Sequence, residues 1–226
     1  SVKTMQAMFY SATNFDQDLC WNLSSVTTAD MFTGSNGSSD CPPTPAPTQS
    51  PYSFDDSTLS DAVDEWLNNT ASTKAKYGHI SRWDTAGVTS LLNMFRSATS
   101  FNADTLQWDT SSVSTAAGLF YSTTSLNGDI SQWDTSSLAT MFEMFFSAAS
   151  FNGDVSQWDT SSVMGMHGVF RGTPFNGDVS QWDTSRVTTM QGMFYSSTAF
   201  NGDVSQWDTS SMTTMYQMFG SATSFN

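Results

Sequence analysis

The chain has 226 residues, enough to bury a sizeable core, and its 21 acidic against 7 basic side chains give a formal net charge of −14. So negative a surface repels phosphate backbones and anionic lipid, which argues against nucleic-acid binding and direct membrane insertion. Charged residues make up only 12% while aromatics reach 14%, the reverse of a disordered chain, and no apolar run approaches the ~18 residues of a membrane-spanning helix.

In chain order, residues 1–32 read as the end of a preceding repeat array. "VKTMQAMF" matches the second half of a unit that recurs downstream, and "FDQDLCWNLSSVTTADMF" follows the same template one residue short. Residues 33–51, "TGSNGSSDCPPTPAPTQSP", form a Pro/Thr/Ser-rich linker, since prolines at 42, 43, 45, 47 and 51 favour extended polyproline backbone. Residues 52–78 are expected to form a helical N-terminal cap. There Leu59, Ala62, Val63, Trp66 and Leu67 fall at i, i+3, i+4, i+7 and i+8, and Thr58 with Asp61 resembles a capping box. Residues 79–226 are the repeat array proper. Tryptophans at 83, 108, 133, 158, 182 and 207 lie 25, 25, 25, 24 and 25 residues apart. Both ends fall inside a repeat, so the chain reads as an excerpt of a longer protein, and its lack of a leader says nothing about secretion.

Within a unit such as residues 175–199, the first half carries a β-branched residue and opens on Asn-Gly, a turn signal. The second half, "VTTMQGMF", places apolar residues at i, i+3, i+6 and i+7, one face of a helix. The spacing therefore predicts a short strand, a tight turn, a helix of about two turns and a Ser/Ala-rich return. Repeated, that unit is an α/β repeat solenoid, leucine-rich-repeat-like, with short parallel strands on one face, short helices on the other and the amphipathic helical cap at its start.

The recurring "FNGDVSQWDTSSV" followed by Met-x-x-Met-Phe resembles the BspA-like leucine-rich-repeat surface proteins, over residues 1–32 and about 79–226. The resemblance implies a cell-surface or secreted protein used in adhesion or interaction, with no enzymatic activity.

The aspartates form two columns, Asp104, Asp129, Asp154, Asp178 and Asp203, and Asp84, Asp109, Asp134, Asp159, Asp183 and Asp208. Unit charges about 4.8 Å apart repel by roughly 0.9 kcal/mol even in water, so something must offset them. The preferred reading is that each Asp accepts a backbone N–H in its own turn, the second column also helping to start the helix. The alternative is bound Ca²⁺ along Asp129, Asp154, Asp178 and Asp203. No Asp-x-Asp-x-Asp loop or bidentate Glu accompanies them, so no cofactor is expected. Tryptophan and phenylalanine columns read as core rather than a sugar-stacking platform, because they keep register with Val and Met. The Thr110, Thr135, Thr160, Thr184 and Thr209 row reads as turn capping rather than an ice-ordering array.

Asn22, Asn36 and Asn68 sit in Asn-x-Ser/Thr acceptor patterns outside the regular array, where a glycan would not block stacking. Thr44, Thr48 and Ser50 in the linker are candidate O-glycan carriers. Cys20 and Cys41 are the only cysteines and are compatible with one disulfide. His79 and His167 lie in unlike contexts without metal-ligand patterning, and no nucleophile-elbow, zinc-protease or phosphate-loop motif occurs, so no catalytic residue is expected. The leading expectation is an extracellular or cell-surface structural or adhesive protein, glycosylated and self-associating with neighbouring copies into a filament or surface layer. The alternative is an adhesin binding glycan or a host or partner protein on the strand face. Exposed Ser-Gln pairs repeat unchanged (Ser131-Gln132, Ser156-Gln157, Ser180-Gln181, Ser205-Gln206), which favours a uniform lattice contact over a receptor.

Overall fold

The computed structural model describes residues 3–12, 27–35, 52–102 and 107–226. Helix α1 spans Asp56–Asn68 and α2 spans Thr70–Tyr77. Leu59, Ala62, Val63 and Trp66 are buried as their spacing predicts, but Leu67 is exposed. The capping box lies three residues earlier than expected. Asp55 accepts from the backbone N–H of Ser57 and Thr58, and the Thr58 hydroxyl takes the Asp55 N–H at 2.9 Å. Asn69 then caps α2 by accepting from the N–H of Ser72.

The expected α/β, leucine-rich-repeat-like solenoid is not what the chain forms. Among the described residues there is no strand or sheet, and α1 and α2 are the only α-helices. What repeats is a unit built of turns. Successive units touch through single parallel bridges, Ser90 to Thr115, Thr115 to Thr140, Thr140 to Gly165, Gly165 to Thr189 and Thr189 to Thr214. Residues 3–12 and 27–35 pair in the same way through Thr4 and Thr27.

The backbone accounting shows why no helix forms in the Met-x-x-Met-Phe half. In one unit the N–H groups of Met141, Glu143, Phe145 and Ser147 donate across to the carbonyls of Gly165, His167, Val169 and Arg171. The alternate N–H groups, Met144, Phe146 and Ala148, fold back three residues to Met141, Glu143 and Phe145. A carbonyl row in the next unit thus takes half the donors that an α-helix would keep, and an isolated two-turn helix is too short to compete. The consecutive turns need two residues of positive φ per unit, which a right-handed helix forbids. They are Asn93 and Ser97, Gly118 and Ser122, Glu143 and Ser147, Gly168 and Gly172, Gly192 and Ser196, Gln217 and Ser221. The apolar spacing is real, but it belongs to a turn run with the same inward residues.

The strand is missing for a related reason: side chains, not a backbone ladder, join the other half of each unit. Asn152 Oδ1 accepts the N–H of Asn176, and Asn176 Oδ1 that of Asn201, both at 2.8 Å. The indole N–H of Trp158, Trp182 and Trp207 donates to the carbonyls of Ile130, Val155 and Val179 in the preceding unit. Thr110, Thr135 and Thr160 donate their hydroxyls forward to the carbonyls of Asp134, Asp159 and Asp183.

The core lies between these two edges. Phe95, Phe120, Phe145, Phe170, Phe194 and Phe219 stack at 5.5–5.7 Å between centroids. Each of Phe95, Phe145, Phe170 and Phe194 also faces, at 3.7–3.9 Å, the phenylalanine that opens the next unit. Beyond them the Trp133, Trp158, Trp182 and Trp207 column runs at 6.4–6.5 Å with planes within 4°. No single unit could dry these rings; the stack does. The helix pair sits on the first unit. Phe54 N–H donates to the Asp84 carbonyl, and Phe54 and Trp66 pack against Trp83.

Candidate interaction surface

Two unlike surfaces follow from this plan. The first carries the aspartates. Asp129, Asp154, Asp178 and Asp203 each accept the N–H of the serine two residues on, at 2.8–2.9 Å. In the second column Asp109, Asp134, Asp159, Asp183 and Asp208 do the same at 2.8–3.1 Å. Each carboxylate thus closes its own turn, as the preferred reading of the sequence has it, though no helix follows the second column. Among the described residues no three His, Cys, Asp or Glu side chains converge as a metal-ligand group would. Asp104 lies outside the described residues.

Those bonds have an acid–base consequence. The serine backbone N–H, assisted by the serine hydroxyl, holds the carboxyls of Asp154, Asp178 and Asp203 below their ordinary value. For Asp134, Asp183 and Asp208 the hydroxyl contributes most and the N–H second. At Asp178 the neighbouring charges of Asp154 and Asp203 oppose the shift without reversing it. A carboxyl depressed in the folded state favours folding above its unfolded value and loses that contribution as pH drops through the folded one. The melting temperature should therefore hold from neutral pH to about pH 4 and fall below it. A melting temperature that climbs steadily below pH 4 would show repulsion between the columns to be the larger effect.

The remaining sequence candidates separate cleanly. Trp83, Trp108, Trp133, Trp158 and Trp182 are buried, so their column is core and not a sugar platform. Thr110, Thr135, Thr160 and Thr184 are buried too, so no open hydroxyl array exists there. His79 is buried beside Trp66 and Ser81, whereas His167 is half-exposed, 3.5 Å from Glu143. Asn68 is exposed at the end of α1, with the Thr70 hydroxyl of its acceptor pattern donating to the Trp66 carbonyl. Asn22, Asn36, Cys20, Cys41, Thr44, Thr48 and Ser50 lie outside the described residues.

The second surface is the bridged edge, and here the repeat stops being uniform. The residue after the buried Phe is Arg96, Tyr121, Phe146, Arg171, Tyr195 and Gly220 in successive units. These side chains file along the stack. The Arg96 guanidinium lies 3.7 Å from the Tyr121 ring centre, and the Tyr121 and Phe146 rings are parallel at 4.5 Å. Arg171 lies 5.4 Å from Phe146 and 4.4 Å from Tyr195. A parallel row holds Leu92, Phe142, His167 and Tyr216, of which Leu92, Phe142 and Tyr216 are 40–63% exposed. Apolar periodicity does not single these residues out, because it assigns them to the outer face of a helix. The signal was present: they fill the slots where one unit differs from the next.

The family model described as "Mycoplasma protein of unknown function, DUF285" matches residues 1–40, 65–174 and 146–226. No curated protein and no solved structure matches the chain. The kinship with BspA-like proteins therefore holds at the level of a repeat family, without the leucine-rich-repeat architecture. With more than half of its length covered by that model, the chain belongs to the DUF285 family.

Proposed function

We propose that this chain is an extracellular, surface-displayed, non-catalytic interaction protein, a stack that carries a binding edge for adhesion. In this reading residues 52–78 cap the array of residues 79–226, residues 33–51 are a glycosylated linker from an earlier array, and no cofactor is needed. The carrying observation is the contrast between the two surfaces. The Asp-Ser turns repeat one set of bonds from Asp109 to Asp208, as a scaffold requires, while the bridged edge changes from unit to unit and exposes aromatic and arginine side chains. Diversified side chains on a rigid frame suit recognition.

Two measurements on native material test it. Membrane-impermeant labelling of intact cells should modify the chain, and its intact mass should show glycan at Asn68 or another of the three acceptor asparagines, with Cys20 and Cys41 joined. A chain protected from the label, with the bare polypeptide mass and two free thiols, would remove the reading. The uniform Asp and Ser-Gln rows favour a second role, homotypic assembly, because identical units one repeat apart suit a translationally repeated contact. Sedimentation of gently extracted material decides this role: polymers support it, and single chains refute it while leaving adhesion intact.

A further inference from the structure

We infer that the Arg96–Tyr121–Phe146–Arg171–Tyr195 ladder is a protein-docking strip for an extended polypeptide segment with two carboxylates. The inference rests on the reading of the chain as an interaction scaffold, and it names the partner class.

The side chains on the page choose between a saccharide and a polypeptide. Sugars bind aromatic residues by laying their C–H faces on open ring faces. Here the faces are taken. Tyr121 lies between Arg96 and Phe146, and Phe146 lies between Tyr121 and Arg171. Tyr195 has Arg171 on one side and rests on Gly220 on the other, where an added Cβ would meet its ring at 2.7 Å. The strip offers ring edges, exposed Leu92 and Phe142 beside them, and guanidinium N–H groups. That is the aromatic, arginine-rich composition of protein–protein contacts.

Charge supplies the second constraint. The chain carries 21 acidic residues, yet among the described residues neither Arg96 nor Arg171 has a carboxylate partner. Lys76 pairs with Glu65, and His167 stands 3.5 Å from Glu143. Arg96 spends one N–H on Asn93 Oδ1 at 3.3 Å. Stacking on a ring uses none of a guanidinium's donors, so both forks remain for carboxylates. The net charge of −14 disfavours a polyanion, and Glu143, beside Phe146 near Gly168 and 3.5 Å from His167, leaves the two guanidiniums as the places for carboxylates. The arginines stand three units apart, about 14 Å at the bridge spacing, which an extended chain spans in roughly four residues. The occupant is therefore an acid–apolar–acid segment with its carboxylates about four residues apart.

The test selects a random phage-displayed peptide library on the full chain and then measures each selected peptide on the R96Q/R171Q variant. Arg96 is exposed and Arg171 half-buried, so the variant should lose only the ring contacts and stay folded, and a cooperative melting curve serves as the folding control. Expected are peptides with two acidic residues about four apart around apolar ones, their affinity falling about tenfold for each arginine replaced and partly kept by Arg→Lys. Peptides without that spacing, or bound equally by the variant, would overturn the inference. So would a variant-sensitive hit on an array of sialylated and uronic-acid oligosaccharides, or a variant-sensitive dimer in sedimentation, which would make the occupant a sugar or a second copy. Surface labelling of cells reports separately on the scaffold reading: a labelled chain with no qualifying peptide loses only this strip.

Discussion

Trp158→Ala is expected to lower stability by about 3–5 kcal/mol, the range for removing a buried aromatic. Trp158 is 4% exposed, with Trp133 stacked at 6.5 Å on one side and Trp182 at 6.4 Å on the other. Its indole N–H also satisfies the Ile130 carbonyl of the preceding unit at 3.2 Å. Alanine would leave a cavity between two units and remove a side-chain bond that ties them, although the Ile130 carbonyl keeps its bond from the Trp133 N–H, so the damage should reach both neighbours. Trp207 makes the equivalent bond to Val179 but is only half-buried, and Trp207→Ala should cost distinctly less. Equilibrium urea unfolding of both variants checks the pair. Equal losses, or no loss at 158, would contradict the core assignment.

Asp56→Ala should have the next largest effect, about 2 kcal/mol, and it should act at one place. Asp56 opens α1, where an acidic side chain suits the helix terminus, and its carboxylate reaches into the first unit of the array. It accepts from the Thr89 N–H at 2.6 Å, the Ser90 N–H at 2.9 Å and the Thr89 hydroxyl at 2.8 Å. These bonds hold the carboxyl below its ordinary value even though burial, the largest single influence, pulls the other way. Nothing else in the helix pair bonds the bridge residue Ser90, so alanine should loosen the first junction and leave later ones intact. Limited proteolysis should then cut near residues 78–90 before any site beyond 110. Simultaneous loss of the whole array would mean that the helix pair nucleates it.

Much of this was legible before any coordinates. The tryptophan register gave the units, and the apolar columns gave the core, down to Leu59, Ala62, Val63 and Trp66 of α1. Periodicity misled where it was used to choose backbone conformation. Val187, Met190, Met193 and Phe194 face inward on a turn run as they would on a helix, and what tells the two apart is the donors of Met190, Gly192, Phe194 and Ser196 crossing to the next unit, with positive φ at Gly192 and Ser196. Glycine at 118, 168 and 192, with serine at 122, 147 and 196, was the available warning, since neither favours a helix and glycine tolerates positive φ. The strand was misjudged because Asn, Asp, Thr and Trp side chains occupy the bonds a ladder would use. The strip is illegible from periodicity for the opposite reason: Arg96, Tyr121, Phe146 and Arg171 stand where the repeat varies.

Residue-resolved amide hydrogen exchange on the array tests the turn-built stack most directly. Protection should appear at Met141, Glu143, Phe145 and Ser147, which donate to the next unit, and at Met144, Phe146 and Ala148, which close turns. The Thr160–Trp158 side should be protected chiefly at Trp158 and Val163, the local turn donors. Phe142, whose N–H has no backbone acceptor, should exchange far faster than Met141 and Glu143 on either side. A continuous protected run from Phe142 through Phe146, with far-UV circular dichroism showing much more helix than α1 and α2 supply, would instead mean that each unit folds as a helix, and the stack described here would be wrong.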